Sequence, residues 1–435
     1  MIPNIVLETG KQYMVHIAKE KSSSTPIIDM YKDYNPIFIF GGTIVDLPKN
    51  NFIILEMDAN KSTFTDALDA TFPKCVINSE TVVSLFKSLL KHQKEVWVSL
   101  WKNHPNFQPL FDNPQIKLLG LPTHLAYTLS NKVYQYSLLK GVVPIPQFVA
   151  TTKKEASTHF DSVKTDRGVF TSLGYGGQGS GCRIHPDIKS LQEYLDTLDT
   201  SEFLMINALT LKATVGIDIL IANPNEIYVY GLRTELFDGF KCRGCVYPSE
   251  VSEKIKKECH NIALTIGKKI ANINQYVRGY FNINLNIDTS DTVYFSEVNA
   301  RYGGSSGLCV LMMDQVKPPQ TPKMVDLGIM AMKKGTFKKY TLWDEPQGFV
   351  WYNEEMRATC DSTVQSISFS HDPVQLFNDR EGIVLMGQLR PGTKVVKNSI
   401  VGVIVVLQRT HRALEQSRQT VELLMEKYLK PSKPQ

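Results

Sequence analysis

The chain has 435 residues, of which 43% are hydrophobic and 21% charged, and its net charge is +5. This length exceeds what one compact core usually organises, so we expect two or three domains. No apolar stretch reaches the roughly 18 residues typical of a membrane span, and the positive charge is not clustered as in nucleic-acid-binding proteins. The composition therefore excludes a membrane or nucleic-acid partner and favours a globular protein that acts on small molecules.

The N-terminus and the cysteines both favour a cytoplasmic location. The segment MIPNIVLETGKQYMV lacks the basic stretch, apolar core and cleavage site of a secretory signal. The seven cysteines are odd in number and scattered, which fits reduced thiols better than a disulfide framework.

In chain order, residues 36–122 alternate short β-branched runs with helix-like stretches, which predicts an α/β layer with a mostly parallel sheet. The segment LSNKVYQYSLLKGVVPIPQF then reads as a helix ended by Gly141, so we place a domain boundary there. From about residue 335 the chain is rich in short strands and ends in a polar helix. The predicted units are 1–128, 129–334 and 335–435.

A glycine-rich segment, GVFTSLGYGGQGSGCRI, follows a predicted strand. Glycines let backbone N–H groups turn inward around an anion, so the segment suits a phosphate-binding loop, to which Ser180 adds a donor. The alternative is a mobile surface turn without a ligand. The glycines concerned are Gly174, Gly176, Gly177, Gly179 and Gly181.

A predicted hairpin, GYFNINLNIDTSDTVYFSEVNARYGG, gathers polar side chains. The period of a strand places Asn282, Asn284 and Asn286 on one face, and Glu297, Asn299 and Arg301 on a common side of the returning strand. Carboxylate and amide oxygens suit Mg²⁺, and an arginine beside them would face developing negative charge. The alternative is a hairpin whose polar face meets only water.

Together these segments resemble the ATP-grasp superfamily, which includes carboxylate-amine ligases. Glu297-Val-Asn-Ala-Arg301 resembles its magnesium-binding strand pair, and the helix before Gly141 resembles the segment with a lysine near the nucleotide phosphates, here Lys132. The resemblance implies an α/β ATP-grasp fold, with an N-terminal doubly wound α/β domain, a small C-terminal β-rich domain that acts as a lid, and ATP and Mg²⁺ as cofactors.

The resemblance also implies roles for individual residues. Arg301 and Lys132 would be catalytic, and Glu297, Asn299 and Asn284 would hold the metal. The stretch EFLMINALTLK would contain the hinge along adenine and ribose, although an ordinary sheet core is an equal alternative. The nucleotide-binding residues would be Lys132, Thr171, Gly176, Gly177, Gly179, Ser180, Met205, Ile206 and Asn207.

Two positions depart from the family pattern. Thr171-Ser172 stands where a lysine typically reaches the α-phosphate, and Asn284 stands where an acidic metal ligand is usual. Arg167 or Arg183 could replace the missing cation. At the metal, Asn286 or Asp288 could assist.

A further segment, GLRTELFDGFKCRGCVYPSE, offers possible substrate contacts near the acceptor. Its candidates are Arg233, Glu235, Arg243 and Tyr247, although a solvated or structural role is favoured for each. Cys242-Arg-Gly-Cys245 matches C-x-x-C but lacks a second pair at zinc spacing.

The implied reaction is an ATP-dependent ligation through an acyl phosphate, joining a carboxylate to an amine of the amino acid or peptide class. Two alternatives stay open, a ligase with a carrier-protein thiol as acceptor and an ATP-binding homologue with impaired catalysis. A homo-oligomer is compatible with the sequence.

Overall fold

The computed structural model describes most of the chain. The described residues are 5, 7–18, 31–41, 52–55, 71–176, 179, 181–198, 202–274, 276–303, 305–315, 317–343, 350–366, 376, 379, 381–386, 391–397 and 400–431. None of the helices within these ranges is long and apolar enough to cross a membrane. No disulfide links cysteines within them.

The N-terminal part is a parallel α/β layer. Its elements are β1 (Met14–Ala18), β2 (Pro36–Gly41), β3 (Phe52–Leu55), α1 (Thr71–Asn78), α2 (Glu80–His92), β4 (Val96–Leu100), α3 (Gln108–Phe111) and β5 (Ile116–Leu118). The strands lie in the order β3-β2-β1-β4-β5 and all pair in parallel. Apolar residues of the strands and of α1 and α2 form one core. This confirms the parallel layer that the alternating pattern predicts.

A small antiparallel sheet follows two connecting helices. The elements are α4 (Thr123–Leu129), α5 (Lys132–Leu139), β6 (Phe148–Thr151), α6 (Ala156–Val163), β7 (Val169–Leu173), β8 (Arg183–His185), α7 (Ile188–Asp196) and β9 (Phe203–Asn207). The strand order is β6-β9-β7-β8. One face packs against α6 and α7. The other face packs toward α5 and the next sheet.

A large antiparallel sheet forms the centre of the molecule. Its strands and helices are β10 (Leu211–Asn223), β11 (Glu226–Asp238), β12 (Lys241–Tyr247), α8 (Glu253–Ala271), β13 (Gly279–Asp288), β14 (Val293–Asn299), α9 (Ser306–Gln315), α10 (Met324–Lys334) and β15 (Val350–Arg357). The last elements are β16 (Ser362–Val364), β17 (Gly382–Met386), β18 (Lys394–Val395), β19 (Ile400–Gln408), α11 (His411–Tyr428) and β20 (Leu429–Pro431). Within the described ranges the order of the large sheet is β14-β13-β10-β11-β12-β15-β19-β17.

The C-terminal strands extend this central sheet. Strand β15 pairs antiparallel with β12, and β19 and β17 continue from it. The predicted boundary at residue 335 therefore lies between α10 and a strand of the same sheet. Strands β18, β16 and β20 form a separate small sheet. The division into three units stays a prediction.

Candidate functional site

Helix α5 holds Lys132 beside the edge of the large sheet. Asn131 is the N-cap of this helix, and its side chain accepts the Tyr134 N–H of the first turn at 3.2 Å. One turn later, the Gln135 side chain donates to the Val298 carbonyl at 2.9 Å and accepts the Val298 N–H at 2.8 Å. These two bonds fix α5 against β14 and place Lys132 next to Glu297.

Lys132 and Glu297 form an ion pair. The Lys132 Nζ lies 2.9 Å from Glu297 Oε2, and the two side chains are only 14% and 25% exposed. Burial opposes the charged form of each group, but their mutual attraction outweighs it, so the pKa of Lys132 is raised and the pKa of Glu297 is lowered. Both side chains are therefore charged at neutral pH.

Two asparagine amides flank the Glu297 carboxylate. Asn284 faces Glu297 directly across β13 and β14, which confirms the predicted strand pair. The Nδ2 atoms of Asn284 and Asn299 donate to the same Glu297 Oε1 at 3.4 and 3.3 Å. The Asn284 Oδ1 is buried and accepts no hydrogen bond from any residue that the structure describes. A buried acceptor without a donor beside a carboxylate suits a cation.

This oxygen set contains a single carboxylate. Within the described part of the chain, no three His, Cys, Asp or Glu side chains cluster so that they could hold a metal ion. Amide oxygens are ligands for hard cations but bring no charge. Any cation held here would depend on Glu297 for charge and on the amides for geometry.

Arg301 lies just beyond β14, against the N-terminal layer. Its guanidinium lies 5.0 Å from the ring centroid of Trp101, and Nη1 donates to the Tyr302 carbonyl at 2.8 Å. Burial lowers the pKa of Arg301 while the Glu297 carboxylate opposes the change. An arginine stays protonated at neutral pH, so Arg301 adds a second positive charge to the site.

The glycine-rich segment begins at the same helix. The Gly174 carbonyl accepts the Lys132 N–H at 2.7 Å. Gly179 has a φ of +72°, and a Cβ there would lie 2.2 Å from the Phe240 carbonyl oxygen of the turn between β11 and β12. Gly174 thus lies at α5 and Gly179 at that turn. Gly176 is described, whereas Gly177 and Ser180 lie outside the described residues.

Thr171 and Ser172 face opposite sides of the small sheet. Thr171 pairs with Met205, which packs toward α6 and α7, and its Oγ1 lies 3.0 Å from His185 Nε2. Ser172 pairs with Leu204, which packs in the cluster that includes α5. The structure therefore does not bring the Thr171 side chain toward Lys132. The side chain on that face is Ser172, which sequence reasoning did not select.

The two alternative cations also lie away from Lys132. Arg183 is exposed, and its guanidinium lies 5.4 Å from the Tyr194 ring centroid. Arg167 donates to the Leu209 carbonyl at 3.1 Å. Neither contact directs these side chains to the Glu297 site.

The predicted hinge lies at the end of β9. Met205 and Ile206 lie inside the sheet, between β6 and β7. Their backbone N–H and C=O groups are therefore used in pairing with these two strands. Asn207 is the last residue of the strand, and among the described residues its buried Oδ1 has no hydrogen-bond donor. Backbone beyond the ladder starts at residue 208, which leads into β10.

Comparison with known proteins bears on the fold. No protein-family model and no curated protein matches the chain. Solved structures match over nearly its full length. An L-amino acid ligase from Bacillus licheniformis has a TM-score of 0.67 at 14% identity, covering 98% of this chain and 100% of that one. Biotin carboxylase from Campylobacter jejuni has a TM-score of 0.69 at 12% identity, covering 95% and 91%.

A third structure gives the same result. N5-carboxyaminoimidazole ribonucleotide synthetase from Thermotoga maritima has a TM-score of 0.61 at 14% identity, covering 97% of this chain and 100% of that one. All three are ATP-grasp proteins. The chain has the ATP-grasp fold. At such low identity the likeness establishes the fold and leaves the substrates to be argued from the site.

The ATP-grasp sheet of this chain contains a buried ionic network. Arg233 is fully buried and its Nη1 donates to Asp218 Oδ2 at 2.7 Å. Glu235 Oε1 lies 3.5 Å from Arg233 Nε, and burial raises the pKa of Glu235. Sequence reasoning favoured a solvated or structural Arg233 and missed Asp218. The available signal was an aspartate inside the apolar run ATVGIDILIA, because buried acids require a partner.

The remaining candidates of the β11–β12 segment make contacts within the sheet and its turn. Tyr247 is fully buried, and Arg243 pairs with a carboxylate near the turn between β11 and β12. The thiols of Cys242 and Cys245 each donate to a neighbouring side-chain oxygen at 2.9 Å. Burial raises the pKa of both thiols. These contacts agree with structural roles.

Proposed function

We propose that this chain is an ATP- and Mg²⁺-dependent ligase that joins a carboxylate to an amine. The observation that carries the proposal is the Glu297 carboxylate, paired with Lys132 and flanked by two amides, at the edge of an ATP-grasp sheet. The structural likeness to an L-amino acid ligase supports the same class of reaction.

In the proposal, the residues around Glu297 bind the triphosphate end of ATP. Glu297, Asn299 and Asn284 supply oxygen ligands for Mg²⁺, which when bound would neutralise phosphate charge. Lys132, which is paired with Glu297, also binds phosphate oxygens. Arg301 stabilises negative charge on the transferred group. The glycine-rich segment with Gly176, Gly177, Gly179 and Ser180 covers the phosphates.

The proposed reaction has two steps. An oxygen of the substrate carboxylate attacks the γ-phosphorus, the bond to the β-phosphate oxygen breaks, and ADP leaves with that electron pair. The amine then attacks the acyl carbon, and phosphate leaves as the amide forms and the amine loses a proton. The protein supplies position and charge, and no side-chain nucleophile is required.

The adenosine end would lie along the end of β9. We keep Met205, Ile206 and Asn207 as the proposed hinge. The Asn207 Oδ1 is the atom left for a ligand here, because the Ala208 and Leu209 carbonyls accept hydrogen bonds from the side chains of Thr165 and Arg167. Thr171 stays in the proposal only through its backbone, because its side chain contacts His185.

We propose amino acids or short peptides as substrates. Two observations favour a second candidate, an ATP-binding protein with impaired turnover. On the face toward α5, the strand that enters the glycine-rich segment carries Ser172 rather than a lysine. At the cation site, Asn284 brings no charge.

A screen for ADP release tests the proposal. Purified protein would receive MgATP with amino acids, dipeptides or other carboxylates, each with and without an added amine or a carrier-protein thiol. Amine-dependent ADP release, with a product mass equal to the two substrates minus water, supports the ligase. ATP binding without ADP release in any mixture supports the second candidate. ADP release that requires the carrier-protein thiol would show that the acceptor is that thiol and not an amine.

A further inference from the structure

The buried Asp218–Arg233 pair is joined to the Glu297 site by one side chain. The Asn282 Nδ2 donates to Asp218 Oδ1 at 3.2 Å and to the Ile217 carbonyl at 3.0 Å. The Asn282 Oδ1 accepts the Asn299 Nδ2 at 3.4 Å. A continuous chain of hydrogen bonds therefore runs from Arg233 to Asn299.

This chain fixes which way each amide points. An ionised aspartate can only accept hydrogen bonds, so Asn282 must direct its amide nitrogen toward Asp218. The Asn282 oxygen then faces Asn299, which must present its own nitrogen. Since the Asn299 Nδ2 also donates to Glu297, the Asn299 Oδ1 takes part in neither bond and is available to a cation. Asp218 thus sets the orientation of the Asn299 amide, the proposed cation ligand, through the Asn282 side chain.

Arg233 and Asp218 also hold the segment that follows Arg301. Arg233 Nε donates to Ser305 Oγ at 2.6 Å, and Ser306 Oγ donates to Asp218 Oδ1 at 2.6 Å. The same Ser306 Oγ accepts the Gly303 N–H at 2.7 Å. The buried pair thus fixes the start of α9 as well as the Asn282 amide.

We infer that Asp218, Arg233 and Asn282 are positioning residues that keep the Asn299 oxygen turned toward the cation. The inference rests on the proposed function, since it assigns a role toward the same cation. A buried ion pair gives little net stability compared with apolar side chains, so its geometry needs another explanation. Partners that orient metal ligands commonly change metal affinity by roughly 10- to 100-fold when they are removed.

The test measures Mn²⁺ binding by electron paramagnetic resonance, with and without ADP, in the full-length protein. In Asn282→Ala, Asp218 keeps its donors Arg233 and Ser306, so the ion pair survives. We expect the Mn²⁺ affinity to fall about tenfold or more, while ADP binding without metal stays unchanged. Asn353→Ala is the matched control, because Asn353 is also a buried asparagine of the large sheet but bonds to Cys245.

A second variant tests the same chain from its other end. In Asp218→Asn, the single amide oxygen can serve Arg233 and its nitrogen then faces Asn282, which reverses the amide chain. We expect the same loss of Mn²⁺ affinity, and this variant decides if Asn282→Ala does not fold. Wild-type protein that binds no Mn²⁺ with ADP would contradict the proposed function. Wild-type binding with unchanged affinity in the folded variants would overturn the positioning role alone.

Discussion

Lys132 Nζ contacts Glu297 Oε2 at 2.9 Å, joining the first residue of α5 to β14, an edge strand of the central sheet. The cation of a lysine therefore already lies on the carboxylate that we propose as a metal ligand. In the proposed site, Lys132 would compete with a divalent cation for Glu297 and would also supply charge for phosphate oxygens. Lys132 should therefore weaken the binding of a divalent cation alone and strengthen the binding of ATP, and an experiment can separate the two effects.

Replacing Lys132 separates them. In Lys132→Met we expect Mn²⁺ to bind more tightly without nucleotide, because Glu297 loses its competing cation. The affinity for MgATP should fall at least about tenfold, because a phosphate contact is lost. Lys132→Arg keeps the charge and is the control. Equal changes in both affinities would contradict the two roles.

Restoring an acid at position 284 should strengthen cation binding. Asn284→Asp adds a charge directly opposite Glu297, so we expect the half-saturating Mg²⁺ concentration to fall on the order of tenfold. Without metal, the two neighbouring carboxylates repel, and the melting temperature should decrease. Asn223→Asp, which likewise places an acid beside a glutamate, Glu226, is the control. Calorimetric titration of Mg²⁺ with ADP measures the effect, and weaker binding in Asn284→Asp would count against the site.

The contact between Gly179 and the turn at Phe240 can be tested with alanine. Gly179→Ala would place a Cβ 2.2 Å from the Phe240 carbonyl oxygen, whereas Gly239→Ala, also at positive φ, meets no atom within 4 Å. Both substitutions carry the backbone cost of about 1 kcal/mol. We expect only Gly179→Ala to weaken ATP binding, as measured by fluorescence titration. Equal ATP affinity in the two variants would exclude a role for this contact.

Asp314 should make stability depend on pH. It accepts the Met324 N–H at 2.8 Å, and burial raises its pKa to about 6. The folded state then holds the proton more tightly, so stability falls as the pH rises from about 4 to 6. Asp314→Asn should remove this slope and raise the free energy of unfolding at pH 7 by up to about 3 kcal/mol.

Urea unfolding from pH 4 to 7 measures this slope. The control is Asp288→Asn. Burial opposes ionisation of Asp288, but hydrogen bonds from Ser290 and Thr292 outweigh it and lower its pKa. Its stabilising contribution exists above about pH 4 and is lost as the pH falls through the lowered pKa, so Asp288→Asn should lose stability at pH 7. An unchanged slope in Asp314→Asn would contradict the role of Asp314.

The strand period explains both successes and failures of the sequence prediction. The spacing of Glu297, Asn299 and Asn284 placed these side chains on facing strands, and the structure confirms that they meet. The prediction for the Thr171 side chain fails for the same reason, because neighbouring residues of a strand lie on opposite faces of the sheet. Only the pairing of β7 with β9 shows that Ser172 lies on the face of the small sheet that packs toward α5.

Contacts distant in sequence could not be predicted in this way. Gln135 meets Val298, and Asp218 meets Arg233, only after the sheet has formed. Local spacing carries no signal for either pair. Likewise, sequence alone does not reveal that Met205 lies between two neighbouring strands. The fold follows from pattern and resemblance, whereas the supporting contacts of the site require tertiary structure.

Glu297→Gln tests the central claim most directly, by measurement of ATP affinity with and without Mg²⁺. Glu355→Gln is the matched control, since Glu355 is 26% exposed against 25% for Glu297 and is also ion-paired, with Arg357 at 2.8 Å. We predict that wild-type protein and Glu355→Gln bind ATP more tightly with Mg²⁺, and that Glu297→Gln loses this dependence. Tight Mg²⁺-dependent binding that survives in Glu297→Gln would contradict the proposed site.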